Sequence, residues 1–447
     1  MAQKYLVFFV SALMLLAWVL GQNVFAQDIP QGQTGQKTRV PGGQVEEQPR
    51  RQLGADLFGR RGGRVHPFLF MEAKYTDNLY YTSRNEESDF ITSIGPGIWL
   101  AIPANREKLL EINTSPTSPG GLQVSRMKPR STRRMQTYFM YSPSVNYYRD
   151  NSEHDHIAHR AEAMFQNNMA MGLSVDLMNQ FNNRYEINNN AEERLDEYYD
   201  NIASALLTYE PSDKFKFRVD YTNYWLDYDE RANRFRNRMD NSVSVYAFYQ
   251  VRPKTSMFVE YAFADIEYDE NDRFDSQEDR YFLGLDWAIT ADSRGRIKLG
   301  YMEKEFDDSE LGEEDGFSAE LQMQHRFNPK RHATLTAYHR YTESSIETAF
   351  AVLSTGSNFS LMQRFTPKWS STMNLLYYRD AYQGDFTIDG VTREREDDTF
   401  RIGPSLIFEP RDWMAVSLGY YYSERGSNFE IFDSENHTVS LSIELTL

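Results

Sequence analysis

The sequence predicts an all-β fold, a transmembrane antiparallel up-and-down β-barrel of about eighteen strands. Two observations predict it. From Phe68 onward, segments of roughly ten to thirteen residues alternate apolar and polar side chains with period two, separated by alternately short and long polar connections. Beyond the N-terminal stretch no run approaches about eighteen uninterrupted apolar residues, so a closed barrel is the spanning option that remains.

The last segment shows the alternation most plainly. Val439, Leu441, Ile443, Leu445 and Leu447 point one way, and Ser440, Ser442, Glu444 and Thr446 point the other. A strand rising about 3.3 Å per residue and tilted near 40° covers an apolar band of about 25 Å in about ten residues. The segments, from 67–77 at one end to 437–447 at the other, have that length.

The short connections repeat one chemistry: Glu210-Pro211-Ser212-Asp213, Arg252-Pro253-Lys254-Thr255, Asn328-Pro329-Lys330-Arg331, Thr366-Pro367-Lys368-Trp369 and Glu409-Pro410-Arg411-Asp412. Proline pre-sets φ at the second turn position and polar residues follow it. With Asp292 as the equivalent turn residue, positions 211, 253, 292, 329, 367 and 410 recur every 37 to 43 residues, room for two strands, a long loop and a tight turn. Tyr209, Phe327, Phe365 and Phe408 sit two positions before four of these prolines, and Trp225, Phe263, Phe306, Tyr341, Tyr382 and Tyr422 mark the opposite strand ends. Two aromatic bands are expected where amphipathic rings meet lipid headgroups.

The chain has 447 residues, no Cys, 29 Tyr, 29 Phe, a net charge of −17 and a mean hydropathy of −0.65, too polar for a helical inner-membrane protein. Met1 to Ala26 reads as a secretory signal: Lys4 in the n-region, an apolar Leu6 to Leu20 stretch, and a Val24-Phe25-Ala26 cleavage site. Residues 27–65, rich in Gln, Gly and Arg, read as a disordered periplasmic lead-in, and 66–447 as the barrel. Pro103 to Met135 replaces a short periplasmic turn with a Ser/Thr/Pro/Gly/Arg segment ending in Arg126, Lys128, Arg130, Arg133 and Arg134. Its composition is that of a disordered insertion; the alternatives are contact of its basic end with an anionic partner or a partial plug folded into the barrel.

At the first hairpin the text becomes specific: Pro67-Phe68, Tyr75-Thr76-Asp77-Asn78-Leu79, Ser88-Asp89-Phe90-Ile91-Thr92 and Gly95-Pro96-Gly97. This resembles a family of outer-membrane β-barrel porins often encoded beside exopolysaccharide synthesis and export genes. The resemblance is strongest over 67–102 and implies a cell outer-membrane location, insertion by the barrel-assembly machinery, and a link to polysaccharide export. It carries no catalytic residues. The 103–135 connection is longer than in that family, and Leu447 stands where such barrels commonly close on Phe.

Chemistry was sought and not found. His154 and His156 share a strand face and with His159 form the densest His cluster, but they fall where a loop joins a strand, and a metal site needs three ligands and an orienting shell. No Ser lies in a nucleophile elbow. The reading is therefore of no enzyme, no cofactor and no metal. Acidic runs such as Asp265, Glu267, Asp269, Glu270 and Asp272 fall in long loops; they oppose nucleic-acid binding and suit either solvated loops or cation bridges to lipopolysaccharide.

If apolar positions face lipid, then Lys216, Arg218, Asp220, Glu260, Asp286, Lys298, Glu320, Arg326, Arg340, Arg401 and Glu444 face the lumen. A charged lumen this wide is expected to be wet. The function that follows is an aqueous channel for hydrophilic solutes, with export of polysaccharide as its specific form; a non-conducting barrel that scaffolds an envelope assembly is the alternative.

Overall fold

The computed structural model describes residues 64–102, 114–126, 134–187, 194–290 and 293–446, all within one of two compact units, Lys37–Leu447. Residues 1–63, where a signal segment and most of a lead-in are expected, and also Asp292 and Leu447, lie outside the described residues.

Period-two alternation produces antiparallel strands joined to their sequence neighbours: β1 (Val65–Thr76), β2 (Asp89–Ile102), β3 (Met135–Tyr141), β4 (Ser144–Tyr148), β5 (His156–Asn168), β6 (Leu173–Ile187), β7 (Leu195–Tyr209), β8 (Phe215–Tyr228), β9 (Arg238–Arg252) and β10 (Thr255–Tyr268). The series continues with β11 (Ser276–Thr290), β12 (Ser293–Phe306), β13 (Glu313–Asn328), β14 (Arg331–Thr342), β15 (Ala351–Arg364), β16 (Trp369–Ile388), β17 (Val391–Arg411), β18 (Met414–Ser427) and β19 (Ser434–Thr446). β19 returns to pair with β1, Leu69 opposite Leu445 and Tyr75 opposite Val439, so the sheet closes.

β3 and β4 fill one place between β2 and β5, which makes the barrel eighteen-stranded. Ile98 pairs with Tyr141 and Ile94 with Val145, an unbroken register that sets Pro143 opposite Pro96. Neither proline has an N–H to give, so the ladder lapses there without slipping.

The alternation is inverted relative to a soluble protein. Outward positions such as Leu283, Leu285, Leu299, Tyr301, Val439 and Leu441 are exposed, whereas Glu260, Lys298, Ser440 and Ser442 are enclosed. That is the pattern of a barrel whose outside meets hydrocarbon. At the turn end, outward rings pair across strands: Trp369 stacks on Phe408 at 4.5 Å, and Phe215 lies 5.4 Å from Tyr249. At the loop end three of the expected girdle rings, Phe306, Tyr341 and Tyr382, are buried. Phe306 packs with Met302 and Ala351, and Tyr382 with Phe386 and Phe429, in buried clusters.

β16 and β17 are the other departure. A long loop was expected over 382–396, but the strands run on to Ile388 and from Val391, closing through Asp389-Gly390 with φ of +52° and +77°. Asp-Gly with both residues at positive φ is a type I′ hairpin turn, whose twist matches the strands it joins.

Candidate functional site

Residues 114–126 of the long connection between β2 and β3 form a small hairpin inside the barrel, so for this part of the 103–135 insertion the expectation of disorder gives way to the alternative of an inward fold. Its own bridge joins Thr114 to Leu122, and its tip is Pro119-Gly120-Gly121. Gly120 and Gly121 stand at φ +67° and +73°. A Cβ on Gly121 would lie 2.2 Å from the Tyr224 ring, so both the backbone and the space demand glycine.

Wall residues hold this hairpin through its backbone. The Gly120 N–H donates to Asp240 at 2.9 Å, and the Ser125 N–H to Glu320 at 3.0 Å. Arg218 donates to the Arg126 carbonyl at 2.7 Å, Gln322 to that of Ser125 at 2.7 Å, and Arg340 to those of Leu122 and Gln123 at 3.1 and 3.0 Å. The Glu343 N–H donates to the Thr117 carbonyl at 2.7 Å. Side chains add Thr114 on Asp200, and Arg126 on Ser204 and Thr222. Leu122 packs on an enclosed apolar cluster that includes Trp99, Tyr138, Met178, Tyr198, Ile202 and Tyr224.

The eleven charges expected to line the lumen therefore divide. Arg218, Glu320 and Arg340 bind the hairpin directly. Asp220 receives the Arg218 guanidinium, and Lys298 bridges Glu260 at 2.9 Å and Glu320 at 3.4 Å. Asp286 pairs with Arg296 at 3.0 Å, and Lys216 lies 4.0 Å over the Phe248 ring. Arg326 faces His332 across β13 and β14, and Glu444 faces Phe70 and Ala415 at the turn end. Of the eleven, Arg401 lines the space left open.

That space is a cavity of about 950 Å³, including volume open to solvent, along β15 to β19 and β1. Its wall mixes the polar groups of Asn358, Asn374, Ser423, Asn436, Thr438 and Ser440 with the apolar side chains of Leu79, Leu376 and Ile402 and the Tyr421 ring, and Glu72, Lys74 and Arg401 are its charges. Arg401 Nε donates to Ser423 at 3.1 Å. The Tyr421 ring covers Gly403 and Gly419, where added Cβ atoms would come within 2.6 and 3.0 Å of it. The lumen thus has two unlike parts, one occupied by a hairpin set in paired charges, the other an open cavity, the β15–β1 lane, walled by polar and apolar groups with three charges.

Asp200, Asp240, Arg238 and Arg296, all part of the hairpin's seat or beside it, and Tyr421 in the lane were not singled out from sequence. The signal available was that Tyr198, Ile202 and Leu206 put apolar groups on the inward parity of β7, which an empty aqueous lumen does not want. The His cluster separates: His154 bonds the Tyr80 hydroxyl at 2.6 Å, His156 stacks on Tyr185 at 3.7 Å, and His159 bonds Tyr141 at 3.0 Å. Of the insertion's basic residues, Arg126 is in the lumen, while Lys128, Arg130 and Arg133 lie outside the described residues.

A closed barrel, apolar outside and polar within, with a solvent-open cavity beside the inserted hairpin, has the architecture of outer-membrane channel proteins. Residues 175–447, more than half of the chain, match the family model described as "Putative beta-barrel porin 2", and the chain belongs to that family, in the outer membrane. No curated protein matches. Among solved structures the chain is similar to Pseudomonas aeruginosa OpdK with vanillate, at 8% identity and TM-score 0.44 over 86% of this chain and 99% of that one. It is similar also to P. aeruginosa OccK3 (OpdO), at 10% and 0.42 over 86% and 96%, and to P. aeruginosa OpdL, at 10% and 0.42 over 86% and 98%.

Proposed function

We propose that this porin-like channel passes hydrophilic solutes along the β15–β1 lane, and that polysaccharide chains leaving the cell are among them. The observation that carries the reading is the lane's wall: amides and hydroxyls from β15, β16, β18 and β19 around Tyr421, whose ring lies against two glycines. An aromatic face offers apolar contact to a sugar ring while side-chain amides and hydroxyls exchange hydrogen bonds with its hydroxyls. The family resemblance to porins encoded beside exopolysaccharide genes points the same way. In this reading the surroundings are outer-membrane lipid and lipopolysaccharide, insertion uses the barrel-assembly machinery, and export components approach from the periplasmic side.

The test is block of single-channel current by maltohexaose. A neutral hexasaccharide should interrupt the current, and Tyr421→Ala should weaken that block about fivefold. Block indifferent to Tyr421, or absent at saturating sugar, would count against saccharide passage and leave a channel for small solutes.

A further inference from the structure

The hairpin is seated in the lumen as a ligand is seated, and this has a consequence for how the channel works. It contributes no strand to the barrel sheet, and its bonds to the wall run between wall groups and its own backbone, short side chains and the Arg126 guanidinium. The groups that grip it come from two separate stretches of one side of the wall, Asp200 and Asp240 on β7 and β9 and Glu320 and Arg340 on β13 and β14. Both ends of the connection leave toward the turn end of the barrel, at Ile102 and Met135. Apart from Leu122, Val124 and Arg126, the described segment is made of Ser, Thr, Pro, Gly and Gln, which return to water without exposing much apolar surface.

The seat also carries a standing cost. Arg340 commits Nη1 to two carbonyls, while its Nε and Nη2 are enclosed with no hydrogen-bond partner among the described residues. Enclosed donors without partners favour a state in which water reaches them. When the hairpin leaves, the Arg238–Asp240, Arg218–Asp220 and Lys298–Glu260 pairs remain on the wall, and Arg340 is left to water.

We propose that the 114–126 hairpin is a reversible gate: seated, it confines passage to the β15–β1 lane, and withdrawn toward the turn end, it opens the other half of the lumen. This rests on the channel reading and adds a second conducting state to it. Withdrawal exposes the charged seat to solution, where counterions stabilise it increasingly as the Debye length shortens from about 10 Å to about 3 Å between 0.1 and 1 M, whereas the enclosed contacts of the seated state are screened little.

The chain has no cysteine, which makes the test clean. A Cβ on Gly120 would stand 3.3 Å from that of Ser242, close enough for a disulfide in Gly120→Cys/Ser242→Cys. In planar bilayers the full-length protein should show a lower and a higher conductance level, with the higher level gaining occupancy from 0.1 to 1 M salt. The oxidised double variant should stay at the lower level, with reduction restoring the higher one. Because Gly120 sits at positive φ and its replacement is strained, Arg340→Gln serves as the second variant. It keeps the barrel ladder intact and should raise occupancy of the higher level about tenfold. A single level at every salt concentration, unchanged by the disulfide and by Arg340→Gln, overturns the gate and leaves the channel standing. Silence from every form overturns the channel reading and the gate with it.

Discussion

The Gly120 N–H donates to the Asp240 carboxylate at 2.9 Å, and Arg238 holds that carboxylate at 3.0 Å from its Nε. The tip of an inserted hairpin is thereby tied to a charge pair fixed on β9, next to Gly121, which fits only because it has no Cβ to meet Tyr224. Gly121→Val should therefore unseat the hairpin without disturbing the ladder that builds the barrel. Heat-modifiable folded protein should be retained and unit conductance should rise. Gly312→Val, at a φ of +77° in open space, carries only the backbone strain and should leave conductance unchanged. Equal conductance for the two variants would mean that the hairpin does not limit the passage.

The inside-outside register is tested at two adjacent residues of β11. Leu285 is exposed on the outward face and Asp286 pairs with Arg296 inside. Leu285→Arg should cost about 2 to 4 kcal/mol near the membrane midplane and impair assembly, while Asp286→Asn should fold nearly as well as the parent. Equal folded yields would shift the register by one residue.

Orientation is tested with epitope tags on intact cells. Tags after Gly312, in the β12–β13 loop, and at Gly390, at the tip of the long β16–β17 hairpin, should be reachable. Tags at Lys330 or Pro367, in the short turns, should not, because short turns face the periplasm. Labelling of the Lys330 tag without permeabilisation would invert the barrel.

How far the sequence revealed these features depends on which interaction sets each one. Strand positions were legible because lipid outside and water or protein inside enforce period two along every strand, and Pro329-Lys330 and Pro253-Lys254 mark tight turns by local chemistry. Pro143 was not readable as a break, since its effect depends on Pro96 standing opposite in another strand. The β16–β17 extension was readable in Asp389-Gly390 and was overlooked among surrounding charges. The hairpin's inward path was hidden because its Ser/Thr/Pro/Gly composition is that of a disordered linker. What orders it is a set of wall groups as far away in sequence as Glu320 and Arg340. Charges on the inward parity were readable as charges, but their division between hairpin seat and open lane depends on that same long-range fit.

The loop end offers a pH test. Lys304 is fully buried, and its ammonium lies 2.6 Å from Glu343, just past the end of β14, which also accepts the Tyr268 hydroxyl at 2.6 Å. Burial alone would raise the Glu343 carboxyl, but the Lys304 and Arg238 cations outweigh it and hold the group below the usual carboxylate range. A depressed carboxyl contributes stability that is present above its unfolded value and is lost as pH falls through its folded one. Lys304→Met should then cost about 3 to 5 kcal/mol at neutral pH by stranding a buried carboxylate. Acidification should shrink that deficit as the carboxyl becomes neutral. Thermal unfolding in detergent at pH 7 and pH 4 checks it; a deficit independent of pH would remove Glu343 as the cause.

The central claim is that this barrel conducts through a lumen its own hairpin half fills, and the most direct measurement compares unit conductance of the full-length protein with that of a variant lacking Thr114 to Arg126. The account predicts discrete current steps from the full-length protein and larger steps from the shortened one. Silence from both, with folded heat-modifiable barrels on a gel, would contradict it and leave a non-conducting envelope scaffold as the better description.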